Sequence, residues 1–243
     1  MTRRQKIIKS DIQLKADQPI SHKDQMRIER EELILSVALS LLKNDGFQGL
    51  SMQAIANQTE YSKGTIYQHF SSKEDVLAKL IIRCGERLIS LIDIALSNST
   101  GLRNTIVMVS WAFFINAEQE AETAGLVSMV KSPEFQTKVT PAHQNAISVI
   151  DQSILSRVIG IFTNQTDIPA EKIKVGAFGW WAMKWGVQDV LLNDWEMSKL
   201  GFDDPKHYFF ESLHVFLDGL GVKRDDISHD FEMVQAQAKH VFS

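Results

Sequence analysis

The chain is poor in cysteine, with one in 243 residues, and nearly as poor in proline and tyrosine, with five and three. A single cysteine, Cys84, closes no internal disulfide, so the fold must stand on its core alone. That usage suits a reducing compartment, and a cytoplasmic protein is expected. Cys84 lies in an apolar helical run and reads as a buried, inert thiol. No apolar run reaches membrane length: the longest, Ile106 to Ile115, is interrupted by Ser110 and falls short of the ~20 residues a helical span requires. The basic N-terminus is followed by no apolar stretch, so neither a secretory leader nor a membrane partner is expected. Alternating strand patterns and short-period repeats are also missing. No Ser, Cys or Asp nucleophile sits in a recognisable motif, and no pair of carboxylates suggests acid–base work. Gly219-Leu-Gly221 stops a helix and follows no strand, so it is no nucleotide loop. His207, Glu211 and His214 share a helical face, but the aromatic residues around them mark a packing surface rather than a metal site. Catalysis, a cofactor and a metal are therefore not expected.

What the chain does have is helical periodicity. Hydrophobic residues make up 44% of it, enough for a large core. Residues 1–83 hold thirteen Lys and Arg against ten Asp and Glu, and the remainder holds thirteen against twenty, so a mildly basic head precedes an acidic body. Residues 1–26 form no long periodic face and read as a flexible arm. Ile34, Val37, Ala38, Leu41 and Leu42 then trace one apolar stripe, which predicts a helix over Arg27–Asp45 closed by Gly46. Ser51 and Ser62 are natural N-caps for two short helices, with the turn at Thr59–Tyr61. Ser71 or Ser72 caps a long helix from about Lys73 to Leu96, where Glu74 and Asp75 suit the helix dipole. Further helices are expected over Leu102–Glu118, Ala121–Lys131, Ala142–Phe162, Ala170–Leu192, Lys206–Leu220 and Ile227–Val241. The fold class is all-α.

The short helix Lys63–His69 puts almost nothing apolar outward. Ile66 and Phe70, four apart, are its inward anchors, and Lys63, Gly64, Thr65, Tyr67, Gln68 and His69 lie outward or flanking. Gly64 costs about 1 kcal/mol of helix stability relative to Ala, and it lets a partner approach the backbone. In a helix-turn-helix the second helix enters the major groove while the first braces it. By reach, Lys63, Thr65 and Gln68 are candidates for base edges, the Gln68 amide for adenine and the Thr65 methyl for thymine. Ser51, Ser62, Tyr67, His69 and Lys73 are better placed for phosphate oxygens, and Gln53 for either.

Ala54-Ile-Ala56, the run Tyr61-Ser-Lys-Gly-Thr-Ile-Tyr-Gln-His-Phe70, then Ser72-Lys-Glu74 and Leu77 together resemble the signature of the TetR family of bacterial transcriptional regulators, over roughly residues 30–80. The resemblance implies an N-terminal three-helix DNA-binding head joined to a larger helical body that binds a small effector and forms a homodimer. It also implies DNA contacts at Ser51, Lys63, Thr65, Tyr67, His69 and Lys73. The expected division is an arm over 1–26, the head over 27–72 and the body over 73–243. One departure stands out: where the family has glycine in the turn, this chain has Glu60.

In the body, the helix from Ala170 is apolar on nearly every side, and the helix ending at Leu220 carries aromatic residues on two faces. Phe178, Phe209, Leu213, Phe216 and Leu217 are accordingly expected at a two-fold dimer contact, which matches a palindromic double-stranded DNA operator. An effector pocket is expected among Met108, Trp111, Phe114, Ile115, Met129, Phe162, Trp181 and Trp185, whose bulk suits a largely apolar small molecule. The function these readings imply is a repressor released from its operator by that effector. The alternative is a DNA-bound regulator controlled by a protein partner, with no small ligand.

Overall fold

The computed structural model describes residues 21–163, 169–193, 197–224 and 230–242, so the expected N-terminal arm lies almost wholly outside the described residues. The chain divides into two compact units at His69 and Phe70, three residues before the expected boundary. All regular elements among the described residues are helical.

The head contains α1 (His22–Gly49), α2 (Met52–Thr59) and α3 (Lys63–His69). α1 begins five residues earlier than the apolar stripe predicts, because Ser21 caps it by accepting from the Asp24 amide at 3.2 Å. Its residues 22–30 are all exposed, so no periodic burial announces those turns in the sequence. Ile34, Leu35, Ala38, Leu41 and Leu42 form the buried face. The helical path breaks at Gly46, whose φ of 64° is open to glycine at no steric cost. Leu50, Met52, Ile55, Ala56 and Ile66 complete the buried set.

The body holds α4 (Lys73–Ser97), α5 (Leu102–Gln119), the single turns α6 (Ala121–Ala124), α7 (Val127–Val130) and α8 (Pro133–Gln136), then α9 (Pro141–Thr163), α10 (Ala170–Leu192), a 3₁₀ turn Met197–Leu200, α11 (Pro205–Leu220) and α12 (Phe231–Val241). The helix expected over Ala121–Lys131 is interrupted at Gly125 and Leu126, and α8 follows where only a break at Ser132-Pro133 was expected. α5 is the central rod, packed against α4, α9, α10 and α12. Fourteen of its eighteen residues are buried, so it has no free face. Trp180 on α10 is fully buried, and its indole N–H donates to Ser110 Oγ on α5 at 2.8 Å, which satisfies the one polar atom of a large apolar side chain. Gly179 lets α10 close on α11: a Cβ there would stand 2.5 Å from Phe216 Cζ. α9 has the length and apolar composition of a membrane-crossing helix; here it packs against α4, α5 and α10, with Val149, Leu155 and Ile159 exposed.

The C-terminal part is fastened by Arg103 of α5, which is almost fully buried. Its guanidinium donates to His214 Nδ1 at 2.9 Å, Asp218 Oδ1 at 2.6 Å, and the carbonyls of Val222 and Lys223 at 2.7 and 3.2 Å. Arg224 and Arg103 together hold the Asp218 carboxyl down at about 2. His214 is thus engaged by Arg103, and His207 lies edge-on to Phe231 with ring centroids 4.9 Å apart, so this face works in packing.

Candidate nucleic-acid interface and ligand cavity

α2 and α3 are joined by a turn of three residues. Ser51 caps α2 by accepting from the Ala54 amide at 3.0 Å, and Ser62 caps α3 by accepting from the Thr65 amide at 3.1 Å. Thr59 ends α2 with its hydroxyl donating to the Ile55 carbonyl at 2.9 Å. Glu60 then adopts a left-handed conformation, φ 59° and ψ 15°, and is the one non-glycine residue with positive φ among the described residues. The turn therefore keeps the geometry that a glycine would give, at the cost of steric strain around the Glu60 Cβ.

On α3, Ile66 is fully buried, while Lys63, Gly64, Tyr67 and Gln68 are exposed. Thr65 is half-buried with its hydroxyl 2.9 Å from Ser62 Oγ, which leaves its methyl as the available group. A Cβ on Gly64 would meet only Ser62 Oγ, at 3.7 Å. Nothing in the protein forbids a side chain there. Gln53 is exposed, with its amide donating to Asn57 Oδ1 at 2.7 Å. His69 turns partly inward: Nδ1 is buried and has no hydrogen-bond partner among the described residues. Burial pushes its pKa below the ordinary value, with Glu31 opposing and Arg27 and Arg30 reinforcing the fall. At neutral pH the ring is uncharged, so it can offer a phosphate a hydrogen bond but no charge. Lys73 opens α4 in the second unit and is half-buried.

The body holds a cavity of about 310 Å³ with walls from α4, α5, α6, α7, α9 and α10. Of the eight residues expected to line a pocket, Trp181 and Trp185 do so. Met108, Phe114 and Phe162 are core residues with at most 2% exposure, and Trp111 and Phe114 border only a void of about 10 Å³. Ile115 is half-buried against the core, and Met129 is half-buried outside the cavity wall. The reason for the correction is the burial of α5 on all sides: its sequence does not say which face meets a cavity. Phe113, the neighbour of Phe114, is the aromatic residue that does.

Lys184 and Gln188 were not among the expected residues. Trp181, Lys184, Trp185 and Gln188 stand at i, i+3, i+4 and i+7 of α10, and all four line the cavity. Lys184 is 1% exposed. Its ammonium lies 3.8, 4.4 and 4.6 Å from the ring centroids of Trp185, Phe113 and Trp181, and donates to Gln188 Oε1 at 3.2 Å. Burial drives its pKa well below that of an ordinary lysine, and Lys131 adds repulsion. A single charged residue within the apolar stretch 175–187 of α10 was the signal available in the sequence. Cys84 also faces the cavity; burial raises its pKa, while the Asn116 amide donates to its sulfur at 3.3 Å.

The dimer expectation is corrected too. Phe209, Leu213 and Leu217 are at most 7% exposed and belong to the body's own core, because α11 turns that face to α5 and α10. Phe216 packs at Gly179. Phe178 is 75% exposed, with Val175 beside it on α10 and Val215 on α11.

A short capped helix with polar groups outward, braced by another across a tight turn and followed by a helical body with a cavity, defines a helix-turn-helix DNA-binding regulator. Residues 34–80 match the family described as "Bacterial regulatory proteins, tetR family". Through that segment the chain carries the DNA-binding part of TetR-family transcriptional regulators. It is 25% identical over 153 residues to the HTH-type transcriptional activator FasR of Mycolicibacterium smegmatis, an alignment that covers 63% of this chain and 68% of that protein. Among solved structures it is similar to a tetR-family regulatory protein from Rhodococcus RHA1 (TM-score 0.58, 16% identity, 80% of this chain and 98% of that one). It is also similar in fold to the transcriptional regulator FadR from Bacillus subtilis in complex with stearoyl-CoA (TM-score 0.54, 17% identity, 77% and 98%).

Proposed function

We propose that the chain acts as a homodimeric repressor that occupies a palindromic operator and leaves it when a small, largely apolar molecule fills the body cavity. The observation that carries the DNA half is Gly64, an exposed helical glycine where a Cβ would meet only Ser62 Oγ, in ordinary contact. Lys63, Thr65 and Gln68 read base edges, with the Thr65 methyl toward thymine. Ser51, Gln53, Ser62, Tyr67 and Lys73 hold phosphates, and His69 adds an uncharged hydrogen bond.

The exposed stripe of Val175, Phe178 and Val215 supports pairing of α10 and α11 with their two-fold mates. Such a pair presents two α3 helices to half-sites about 34–36 Å apart. A protein seated across both grooves excludes others from that stretch, which is why repression is the default consequence of occupancy. The cavity favours a small ligand over a protein partner as the controlling signal; the stearoyl-CoA held by FadR supports the same reading. The ligand acts by binding one state of the dimer better than the other.

Selection from random duplexes tests the proposal. A palindromic consensus should emerge, with affinity falling at least tenfold in Lys63→Ala and Tyr67→Ala and steeply with salt. Phe178→Glu should give a folded monomer in sedimentation. Recovery of no consensus, or two substitutions without effect, would count decisively against it. Transcription from a template bearing the consensus separates repression from activation.

A further inference from the structure

We propose that the body cavity takes a small amphipathic monoanion, a carboxylate on a compact apolar body, with the carboxylate seated on the Lys184 amine. The proposal rests on the reading of this cavity as the effector site and adds the charge of its occupant.

Six helices wall the cavity, and most of what they present is apolar: Ile81, Leu88, Ile147 and Ile154 among others. Its titratable side chains are Cys84, Lys131, Asp151 and Lys184. Asp151 is the single carboxylate, and Lys131 holds it at 2.9 Å. Both members of that pair are more than two-fifths exposed, so it marks the wetter side. Lys184 lies at the dry side, and among the described residues no carboxylate pairs with it. Its charge is met by three ring faces and one amide oxygen.

Burying an amine without a counter-charge is costly unless function demands it. A ligand carboxylate supplies the missing charge inside a low-dielectric site, where one such contact outweighs many made in water. The rings that hold the ammonium from three sides also fix its position, so the anion meets a preset donor. A cationic ligand is disfavoured by the same geometry, since the one carboxylate that lines the cavity, Asp151, is already held by Lys131. At about 310 Å³ the space stands at the low end of small-molecule sites, ~300–1,000 Å³, so the apolar body is one moderate chain or a small ring system.

The test uses decanoate, 1-decanol and decylamine, matched in chain and differing in charge, with the full-length protein, by titration calorimetry and by release of bound operator DNA. Decanoate should bind at least tenfold tighter than 1-decanol, and decylamine more weakly than either. In Lys184→Met and Lys184→Gln the ratio of decanoate to 1-decanol affinity should fall to about one while 1-decanol binding persists, which shows that the cavity is intact. Equal affinity for decanoate and 1-decanol in the unaltered protein, or an undiminished carboxylate preference in both variants, overturns the proposal. If 1-decanol binds and releases DNA without such a preference, the effector reading survives and only the charge assignment fails. If none of the three binds and DNA affinity is unchanged, both fall.

Discussion

The carboxylate of Asp75, in the first turn of α4, accepts a hydrogen bond from His143 Nδ1 at the start of α9, 2.8 Å away. The same carboxylate accepts from the Thr140 amide and hydroxyl at 3.0 and 2.8 Å and from the Ser71 amide at 3.2 Å. Burial opposes its ionisation, yet the His143, Thr140 and Ser71 bonds win and hold its pKa well below the ordinary carboxylate range. Ser72, which caps α4, also donates to the Lys138 carbonyl at 2.7 Å, so two neighbouring residues tie this end of α4 to the approach to α9.

Removing that carboxylate strands several donors. Asp75→Ala should lower stability by about 2–4 kcal/mol, read from urea unfolding by circular dichroism. Because the folded pKa lies below the unfolded value of ~3.9, the contribution is fully present above that pH and is lost progressively as pH falls from there through the lower folded value. The variant should therefore lose less stability than the unaltered protein between about pH 5 and pH 3.

Glu60→Gly relieves a left-handed residue that carries a Cβ. The head should gain about 0.5–1 kcal/mol, visible as a higher thermal midpoint, and its DNA affinity should rise modestly at low salt because a negative charge leaves the turn. A fall in the midpoint would mean that the Glu60 side chain has a stabilising role not visible in the turn geometry.

Gly64→Ala should separate stability from binding. The helix gains about 1 kcal/mol, and the Cβ meets nothing closer than 3.7 Å in the protein. Operator affinity should nevertheless drop about tenfold if the groove wall comes against this backbone, a loss of ~1.4 kcal/mol. Fluorescence anisotropy and thermal unfolding on one preparation measure both.

Gly179→Ala should cost about 1–3 kcal/mol, since the new methyl would stand 2.5 Å from the Phe216 ring and force α10 from α11. Pairing Gly179→Ala with Phe216→Leu should recover part of the loss in urea melts, because the two sites touch.

Carboxylate binding should be accompanied by proton uptake. The Lys184 pKa is low in the free cavity because of burial, and an anion beside it raises the value again. Affinity for decanoate should then weaken as pH rises above the depressed value. Calorimetry in buffers of different ionisation enthalpy should report uptake, and Lys184→Met should abolish it. Lys131, Asp151 and Cys84 are the other titratable groups facing the site, and they remain in that variant.

The head was legible because its rules are local. Caps at Ser51 and Ser62, the buried Ile66 and the open Gly64 are each set within a few residues of chain, and the structure has them where the spacing implies. The start of α1 was missed for the opposite reason: an exposed turn held by Ser21 has no periodic burial to reveal it. In the body the helices were legible and their faces were not. α5 is apolar all round, so Phe113 and Phe114 look alike in sequence, although one faces a cavity and the other Phe209. Lys184 stands beside Trp181 and Trp185 on its own helix, but that this face is closed by Phe113 of α5 is not written in the local sequence.

Arg103 carries a wider implication. A guanidinium planted midway through the chain grips carbonyls at positions 222 and 223, so the tail serves as a cork in the body rather than an appendage. Proteolytic loss of residues beyond Leu220 would take away two of the carbonyl acceptors of a buried guanidinium and leave it only Asp218 and His214. Nicked molecules should thus melt at a lower temperature than intact ones, since a buried donor left without its acceptor is costly.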